Sequence, residues 1–369
     1  MEGSPLRCPV SGSALERMPI EEADVAAGSR LLPPVGRGYT PVGRTGEVML
    51  RSDRQGAYPV RDGIPVLLVP EQLVPAGTGR EVDVSDPRYA EAYEEMAHYD
   101  EEGARAVAEI AGSRAVQDLL PLASLTDAQR AAFPDPPARW LDAKYELASQ
   151  QDAFRHLAPL QGCDVLQLGG RGLHAVRFLL AGASHAWVIS PMLGELRFAR
   201  ALGEVCGVAE RLHCVVGIAE EIPVRDAAFE RVYAQGSLHH WQIDAALGEC
   251  LRVLRPGGRF AAVEPWRGPL YGVGTGLLGK RDRRVHCVVL DARRVPPFFD
   301  VFEDGTLTHH GTLTRYPLIG LSKLGLKLPR STVRRIGRAD DMLSACIPGA
   351  RSRGSSVALL GTRPLAAAA

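Results

Sequence analysis

Two neighbouring histidines and a glutamate stand where the chain could carry out acid–base chemistry. His239 and His240 come shortly after one apolar run, and Glu264 directly follows a later one. Histidine exchanges a proton near neutral pH, so either ring could act as a general base toward a hydroxyl or an amine. We predict His239 and His240 as the catalytic residues, with packing or helix capping as their alternative roles. Because His309 and His310 are not at ligand spacing with other His or Cys, we predict no metal site.

A glycine-rich turn is the second feature with chemical meaning. Three glycines and one arginine occupy residues 169–172, directly after the apolar run at residues 164–168. Apolar residues at helical spacing begin at Leu173. A strand, a tight turn and a helix in this order open a doubly wound α/β sheet. The glycines let a ligand approach the backbone, and the free N–H groups of the helix point into the same crevice.

The elements that must position these residues recur along the chain. Five strand-like runs follow one another, and they end near residues 168, 190, 217, 235 and 264. Helical patterns between them predict an α/β fold, a doubly wound and mostly parallel sheet with helices on both faces. A last strand-like run covers residues 356–362. Ligands of such sheets bind past the carboxyl ends of the strands, where the turn and the two histidines lie.

The chain is long enough for more than one domain. Pattern and composition predict a small β-rich unit, then a linker with a helical cap, then the α/β domain with a partly helical insertion, and a disordered tail. In residue numbers these parts are 1–75, 76–157, 158–364 with the insertion 313–353, and 365–369. The sequence leaves open whether the cap covers a ligand pocket or only a sheet edge.

Composition excludes several classes of function. The 369 residues include 43 basic and 43 acidic side chains, so the net charge is zero and gives no general case for binding nucleic acid or an anionic membrane. The seven cysteines are scattered without a close pair, which indicates reduced thiols in a cytoplasmic protein. No apolar run reaches membrane-spanning length, and no signal peptide is evident.

Four segments carry a resemblance to a known enzyme family. They are VLQLGGRG at 165–172, GIAEEIP at 217–223, QGSLHH at 235–240 and RVLRPGGRF at 252–260. Together they resemble a class I S-adenosylmethionine-dependent methyltransferase, of the branch that methylates small molecules and quinone precursors. The last two segments are the most specific, because their spacing to each other and to the first strand also fits. The resemblance covers residues 160–265, and the final strand extends it to 362.

This resemblance implies S-adenosylmethionine as the cofactor and a set of residues that bind it. The implied cofactor-binding residues are Gln167, Gly169, Gly170, Arg171, Gly172, Ser190, Ile218, Ala219 and Gln235. Four of them depart from the family pattern, namely Arg171 and three residues that replace an acidic side chain. Gln167 replaces the acidic residue for the cofactor's amino group, Ser190 the one for the ribose, and Ile218 the aspartate for the adenine amine.

Arg171 occupies a position that is usually glycine in this family, and two interpretations follow. Its guanidinium could pair with the cofactor's carboxylate while Glu195 takes over the ribose hydroxyls. Alternatively it fills the pocket, and the domain no longer methylates. Each polar group of the cofactor that finds no partner costs on the order of 1–3 kcal/mol, so the choice decides whether the site binds its cofactor.

Several residues near the predicted crevice are candidates for substrate contact. They are Trp241, Glu264, Trp266, His309 and Tyr316, and a basic cluster at Lys280, Arg281, Arg283 and Arg284 could receive an anionic substrate. Methyl transfer needs mainly in-line placement of the acceptor, with a histidine base for an oxygen or nitrogen atom. We predict a small-molecule acceptor methylated at O, N or C, no membrane partner and no nucleic acid, and a homodimer stays open.

The first 75 residues carry a second resemblance. Cys8-Pro9-Val10-Ser11 and the segment YPVRDGIP at 58–65 resemble a small zinc-ribbon family whose members activate or are fused to methyltransferases. A structural zinc site needs four ligands, and Cys8 is the only cysteine of the unit. We therefore expect a ribbon-like β unit that has lost its metal.

The sequence also leaves alternative functions open. The same fold could serve a non-methylating enzyme or a partner subunit, because the cofactor motifs are degenerate. The ribbon-like unit keeps RNA methylation as a minor alternative. A dinucleotide-dependent oxidoreductase is disfavoured, since a G-x-G-x-x-G pattern is absent and Ser190-Pro191 offers no acidic residue for a ribose.

Overall fold

The structure is a computed structural model. It describes residues 4–32, 46–78, 86–142, 146–268, 271, 288–326, 328–347 and 349–365. The basic cluster at 280–284 and residues 366–369 of the predicted tail lie outside the described residues. None of the helices in the described part of the chain is long and apolar enough to cross a membrane.

The N-terminal unit is built from short strands around one small helix. Its elements are β1 (Leu15–Pro19), α1 (Ile20–Ala26), β2 (Leu31–Leu32), β3 (Glu47–Arg51), β4 (Ala57–Arg61), β5 (Ile64–Pro65) and β6 (Val74–Pro75). Strands β1, β3, β4 and β5 form an antiparallel sheet in that order, and β2 pairs with β6. Asp62 and Gly63 turn the chain between β4 and β5 with positive φ angles of 48° and 76°, which asparagine-like residues and glycine tolerate best.

Cys8, the one cysteine of this unit, is buried beside a tyrosine. Its Sγ lies 3.4 Å from the hydroxyl of Tyr58, which is also buried. Within the described ranges, no group of three or more His, Cys, Asp or Glu side chains is placed to hold a metal ion. Apolar side chains such as Ile20, Val48 and Leu50 form the core of this unit.

A helical segment connects this unit to the α/β domain. Its helices are α2 (Pro87–Ala108), α3 (Arg114–Ala123), α4 (Asp127–Ala131), α5 (Pro137–Trp140) and α6 (Leu147–Leu157). The sequence pattern predicts helix across residues 104–120, but α2 ends at Ala108 and a short 3₁₀ turn at Ile110–Gly112 separates it from α3. Ser113 accepts a hydrogen bond from the Val116 amide at 3.3 Å and so caps the start of α3.

The α/β domain carries the seven-stranded sheet. Its elements are β7 (Asp164–Leu168), α7 (Leu173–Leu180), β8 (His185–Ser190), α8 (Leu193–Val205), β9 (Leu212–Val216), β10 (Phe229–Gln235), α9 (Ile243–Val253), β11 (Leu254–Pro265), α10 (Pro296–Val301), β12 (Thr306–His310), α11 (Arg315–Lys323), α12 (Arg330–Cys346) and β13 (Ser356–Thr362). The strand order is β12-β13-β11-β10-β7-β8-β9. All neighbours are parallel except for β13, which is antiparallel to β11 and β12. This confirms the predicted doubly wound, mostly parallel sheet.

Alternation along the strands divides the core between the two faces of the sheet. In β7, Val165 joins the core on the side of α7 and α8, whereas Leu166 and Leu168 join the core on the side of α9. Both cores are formed by buried side chains. Because the strands are parallel, their carboxyl ends lie at one edge, where the site is expected.

Apolar residues at helical spacing predict a helix over residues 140–157, with Tyr145 among its buried positions, and another over residues 291–302 apart from its two prolines; both are shorter in the structure. The segment predicted from Trp140 to Leu157 contains only α6 after the short α5, and its predicted Tyr145 lies outside the described residues. The segment predicted from Asp291 to Phe302 contains only α10. Pro296 begins that helix, because a proline lacks the amide hydrogen that an interior helical position donates.

The N-terminal unit docks on the free edge of the large sheet. Val66 forms a parallel bridge with Val216 of β9, and the Leu67 amide donates to the Val216 carbonyl at 2.8 Å. The Arg7 amide donates to the Pro223 carbonyl at 2.9 Å, beyond the same strand. The unit thus covers backbone groups that an edge strand would otherwise expose.

Helix α2 packs closely against the start of α8. A Cβ at Gly103 would lie 2.3 Å from the carbonyl carbon of Gly194, so the two backbones touch where both side chains are absent. The Gly194 amide donates to Asp100 at 2.7 Å. Burial raises the pKa of Asp100, although this hydrogen bond and nearby arginines oppose it. Helix α2 is therefore fixed to the domain at a glycine–glycine crossing.

This crossing gives a prediction for stability. Gly103→Ala is expected to destabilise the protein by roughly 1–3 kcal/mol, because α2 must move away from α8 to admit one methyl group. Gly112→Ala is the matched control, since a Cβ there meets nothing within 4 Å. Urea denaturation measures both variants. Equal midpoints for the two alanines would contradict the close packing described for α2.

His310 joins the end of β12 to two helices. Its Nε2 lies 2.7 Å from Asp152 of α6, and its Nδ1 lies 2.9 Å from Asp341 of α12. Burial by itself would lower the pKa of His310, but the carboxylates on both ring nitrogens outweigh it and raise the pKa to about 9. The ring is therefore an imidazolium at neutral pH.

A pH dependence follows from this pair of contacts. Since the folded pKa of His310 is above its ordinary value of 6.5, its contribution is complete below pH 6.5 and is lost as the pH rises through about 9. We expect at most about 3 kcal/mol from this group. The free energy of unfolding, measured between pH 6 and 9.5, should fall more in the wild type than in His310→Gln. Parallel curves for the two proteins would disprove the assignment.

Candidate active site

A cavity of about 220 Å³ opens at the carboxyl ends of β7, β8, β9 and β10. Predicted site residues and unpredicted ones line it together. The lining residues are Arg88, Ala92, Tyr99, Gly169, Gly170, Ile189, Pro191, Met192, Glu195, Gly217, Ile218, Ala219, Glu220, Gln235, Gly236, Ser237, His240 and Trp241. The cavity lies where the fold places the ligand of a doubly wound sheet.

The glycine-rich turn forms part of the cavity wall. Gly169, Gly170 and Gly172 have φ angles of 74°, 70° and 70°, which side chains rarely adopt. A Cβ at Gly169 would lie 2.5 Å from Ser237 Oγ, and one at Gly172 would lie 2.5 Å from the Ala199 Cβ. The turn therefore needs glycine for its backbone, for its contact with the β10 loop and for the packing of α7 on α8.

Gln167 and Ser190 are both buried, and their side chains bond within their own loops. Gln167 Nε2 donates to the Gly169 carbonyl at 2.8 Å, and its Oε1 accepts from the Ala175 amide at 2.8 Å. Ser190 Oγ accepts from the Met192 amide at 3.4 Å. Neither residue lines the cavity. In this structure Gln167 holds the turn against the first turn of α7.

Arg171 forms ion pairs and is not among the lining residues. Its Nε lies 3.1 Å from Glu195 of α8, and its Nη2 lies 2.5 Å from Glu102 of α2. Partial burial would lower the pKa of Arg171, but hydrogen bonds to both glutamates raise it. The guanidinium therefore links the turn to the helix that covers the site, and Glu195 lines the cavity beside it.

The loop after β9 supplies an apolar end of the cavity. Ile218 and Ala219 are buried and line it. The residues that follow are acidic, and Glu221 accepts a hydrogen bond from the Tyr89 hydroxyl of α2. An aromatic ring could pack against Ile218 at this end, because the side chain offers only apolar contact.

Glu264, near the end of β11, holds the ring of His239, which follows the neighbouring strand β10. Glu264 is fully buried, and its Oε1 accepts from the amides of Ser237 and Leu238 at 2.7 and 2.9 Å. Its Oε2 lies 2.7 Å from Nδ1 of His239. A carboxylate can only accept, so Nδ1 of the neutral imidazole carries the proton and Nε2 carries the lone pair. The centroid of the His240 ring lies 4.2 Å from that of the His239 ring; His240 lines the cavity, whereas His239 is not among the lining residues.

The predicted substrate residues separate into groups. Trp241 lines the cavity. The ring centroids of Trp266 and His309 lie 4.8 Å apart, and both residues line a second groove of about 750 Å³ between β11, β12 and α10. Glu264 acts on His239, as described above. Tyr316 lies on α11, part of the insertion, away from both groups of lining residues. The structure therefore does not bring these five residues together.

Three lining residues from α2 are absent from the sequence-based prediction. Arg88, Ala92 and Tyr99 recur at i, i+4 and i+11, so they share one face of the helix. The sequence pattern shows the adjacent face, with Tyr89 and Met96 buried against the domain. The helical spacing of these three residues was the one feature of the sequence that could have identified them. Their position makes α2 a wall of the cavity.

Residues 166–262 match the family model described as a methyltransferase domain. This segment runs from β7 to β11 and holds most of the lining residues. The prediction of a methyltransferase domain is thereby confirmed for this segment of the chain.

Curated relatives match the same part of the chain. The ubiquinone/menaquinone biosynthesis C-methyltransferase UbiE of Roseobacter denitrificans is 38% identical over 112 residues, which are 29% of this chain and 44% of that protein. The malonyl-[acyl-carrier protein] O-methyltransferase of Methylococcus capsulatus is 34% identical over 112 residues, or 29% of this chain and 39% of that protein. The chain spans less than half the length of these relatives.

Among solved structures, the geranyl diphosphate C-methyltransferase of Streptomyces coelicolor is similar. It is 15% identical, with a TM-score of 0.41, over 68% of this chain and 98% of that one. The [4+2]-cyclase SpnF is 18% identical with a TM-score of 0.42, over 62% of this chain and 86% of that one.

Proposed function

We propose that this protein transfers a methyl group from S-adenosylmethionine to an O, N or C atom of a small-molecule acceptor. The observation that carries the proposal is the cavity at the carboxyl ends of β7–β10, whose wall at Gly169 and Gly170 is bare backbone. A bare turn lets an extended cofactor lie against the peptide groups. The match of residues 166–262 to a methyltransferase domain supports the same ligand.

Each side of the cavity has a proposed role. The adenine ring packs on Ile218 and bonds to the Ala219 backbone, and the amino-acid part of the cofactor lies at Gly169, Gly170 and Gln235. Gly172 and Gln167 shape the turn, and Glu195 rather than Ser190 takes the ribose hydroxyls. Arg171 closes α2 over the bound cofactor through Glu102.

His239 is the proposed general base. Glu264 fixes its tautomer with the lone pair on Nε2, the arrangement that accepts a proton from the acceptor. His240 and Trp241 form the wall beside it, and Trp266, His309 and Tyr316 remain candidates for contacts with a larger acceptor. A general base of this kind accelerates a reaction roughly 10²–10⁴-fold, and placement of the acceptor supplies the rest of the rate enhancement.

Calorimetry with S-adenosylmethionine and with S-adenosylhomocysteine tests the proposal. Both ligands are expected to bind one site per chain with micromolar dissociation constants. If the folded protein binds neither ligand, the proposed function is rejected. Nicotinamide dinucleotides serve as negative controls in the same titration.

A second candidate is a non-methylating protein or partner subunit on the same fold. It is favoured by one observation, the bonding of Gln167 and Ser190 within their own loops, which leaves two usual polar contacts of the cofactor unprovided. This candidate expects no cofactor binding. RNA methylation is the minor alternative, and small acceptors such as those named for the relatives are preferred.

The division into residues 1–75, 76–157 and 158–364 is part of the proposal. The first unit is proposed to be a ribbon-like module without metal that supports the edge of the methyltransferase domain, through the contacts of Val66 and Arg7. A small-molecule partner and a location in the cytoplasm complete the proposal.

A further inference from the structure

A chain of hydrogen bonds behind the cavity decides which amide atom of Gln235 faces it. The chain begins at Asp142, whose carboxylate lies 2.9 Å from Nη2 of Arg177 in the interior. Burial alone would raise the pKa of Asp142, but the Arg177 guanidinium holds it well below its usual range. Asp142 is therefore ionised, and its oxygens can only accept hydrogen bonds.

An ionised Asp142 fixes the orientation of Gln150. Gln150 Nε2 lies 2.6 Å from Asp142 Oδ1, and Gln150 Oε1 accepts from the Asp142 amide at 2.9 Å. Exchanging the two amide atoms would place an oxygen against the carboxylate and a nitrogen against an amide hydrogen. The assignment of Gln150 is thus determined by chemistry, and its Nε2 also points at Gln235.

The side-chain amide of Gln235 is oriented in turn, because its oxygen accepts two hydrogen bonds. Its Oε1 accepts from Gln150 Nε2 at 3.3 Å and from the Tyr233 hydroxyl at 2.5 Å. Burial raises the pKa of Tyr233 well above its ordinary value, so this hydroxyl keeps its proton. Gln235 also lines the cavity, and no described residue accepts a hydrogen bond from its Nε2. The amide therefore presents N–H groups, not a carbonyl, to the bound ligand.

We propose that Gln235 donates hydrogen bonds to an oxygen anion bound in the cavity, held in place by Tyr233, Gln150 and Asp142. This inference rests on the proposed function and deepens it. The anion has two sources: the carboxylate of the cofactor's amino-acid part, or a deprotonated oxygen of the methyl acceptor. An ammonium or amine hydrogen at this position would meet a donor and remain unsatisfied. If the acceptor is the source, it is an oxygen acid such as a phenol, an enol or a carboxylic acid.

The variant Gln235→Glu tests the donor. Glutamate has the same length, and its Oε1 still accepts from Tyr233 and Gln150, but the atom that faces the cavity becomes an anionic oxygen. Gln117→Glu on the exposed face of α3 is the matched control for the change in charge. The melting temperature of each variant reports whether the fold is intact.

Three probes separate the two sources of the anion. S-adenosylhomocysteine contains the amino-acid carboxylate, 5′-methylthioadenosine lacks it, and 4-nitrophenol is a phenol whose ionised form absorbs in the visible range. If the cofactor supplies the anion, Gln235→Glu binds S-adenosylhomocysteine at least tenfold more weakly and methylthioadenosine equally well. If the acceptor supplies it, both nucleosides bind as in the wild type, and ionised 4-nitrophenol binds at least tenfold more weakly.

Unchanged affinity for all three probes in Gln235→Glu would overturn the inference. A wild type that binds neither nucleoside would instead reject the proposed function, and titration of the free protein with 4-nitrophenol would then test the donor alone. In Gln150→Leu the Gln235 amide loses one of the two donors that orient it and keeps the Tyr233 hydroxyl. That variant is expected to lie between the wild type and Gln235→Glu, and wild-type affinity would show that the chain behind Gln235 has no role.

Discussion

Glu264→Gln is expected to abolish base catalysis while leaving the fold and the cofactor site in place. The new amide keeps one oxygen for the amides of Ser237 and Leu238, but it presents NH₂ to His239 Nδ1. The imidazole must then accept at Nδ1 and carry its proton on Nε2, the wrong tautomer for a base. We expect turnover to fall by roughly 10²–10⁴.

Nitrogen-15 NMR of the histidine rings measures this change directly, before an acceptor is known. The wild type should show His239 protonated on Nδ1, and Glu264→Gln should show it protonated on Nε2. Affinity for S-adenosylhomocysteine should be unchanged. Glu303→Gln, at an exposed position, is the control. The same tautomer in both proteins would show that Glu264 does not orient the ring.

The second large effect is expected at the glycine-rich turn. Gly169→Ala places a methyl group 2.5 Å from Ser237 Oγ and 3.0 Å from its Cβ, at a φ angle of 74°. Ser237 has little freedom to move, since its hydroxyl also bonds the Leu168 carbonyl at 3.2 Å. We expect a loss of about 2–4 kcal/mol in stability and at least a tenfold loss in affinity for S-adenosylhomocysteine.

Gly207→Ala separates the clash from the backbone strain. Gly207 has a similar φ angle of 69°, but a Cβ there meets nothing within 4 Å and lies outside the cavity. It should lose about 1 kcal/mol and keep its ligand affinity. Thermal denaturation and calorimetry compare the two variants. If both alanines behave alike, the contact between the turn and Ser237 does not shape the site.

Local pattern was enough to predict most of the sheet, because most of its strands contain an apolar run that ends at turn residues. The last run, at residues 356–362, has the same bounds in the sequence pattern and in the structure. Helix ends were less predictable where a single proline or a serine cap decides them, as at Pro296 and Ser113. These choices depend on one or two backbone hydrogen bonds, which hydrophobic periodicity does not report.

The site could be located from the sequence but not assembled. Parallel strands bring their carboxyl ends together, so the turn, the β9 loop and His240 were expected at one place. The partners of individual side chains were not foreseeable. Arg171 meets Glu102, 69 residues earlier in the chain, and His239 meets Glu264, 25 residues later. Pairs of this kind depend on the packing of α2 and on strand register, which a single sequence does not encode locally.

The pairing of Val66 with Val216 has a consequence for how the protein assembles. The two residues are 150 positions apart, so the unit that carries Val66 is synthesised before β9 and must wait for it before it can dock. Once both parts are made, the covalent connection keeps the module at a millimolar effective concentration against its edge, far above what a separate subunit would reach in a cell. The N-terminal unit therefore stays paired with the β9 edge of the large sheet even when the protein is diluted.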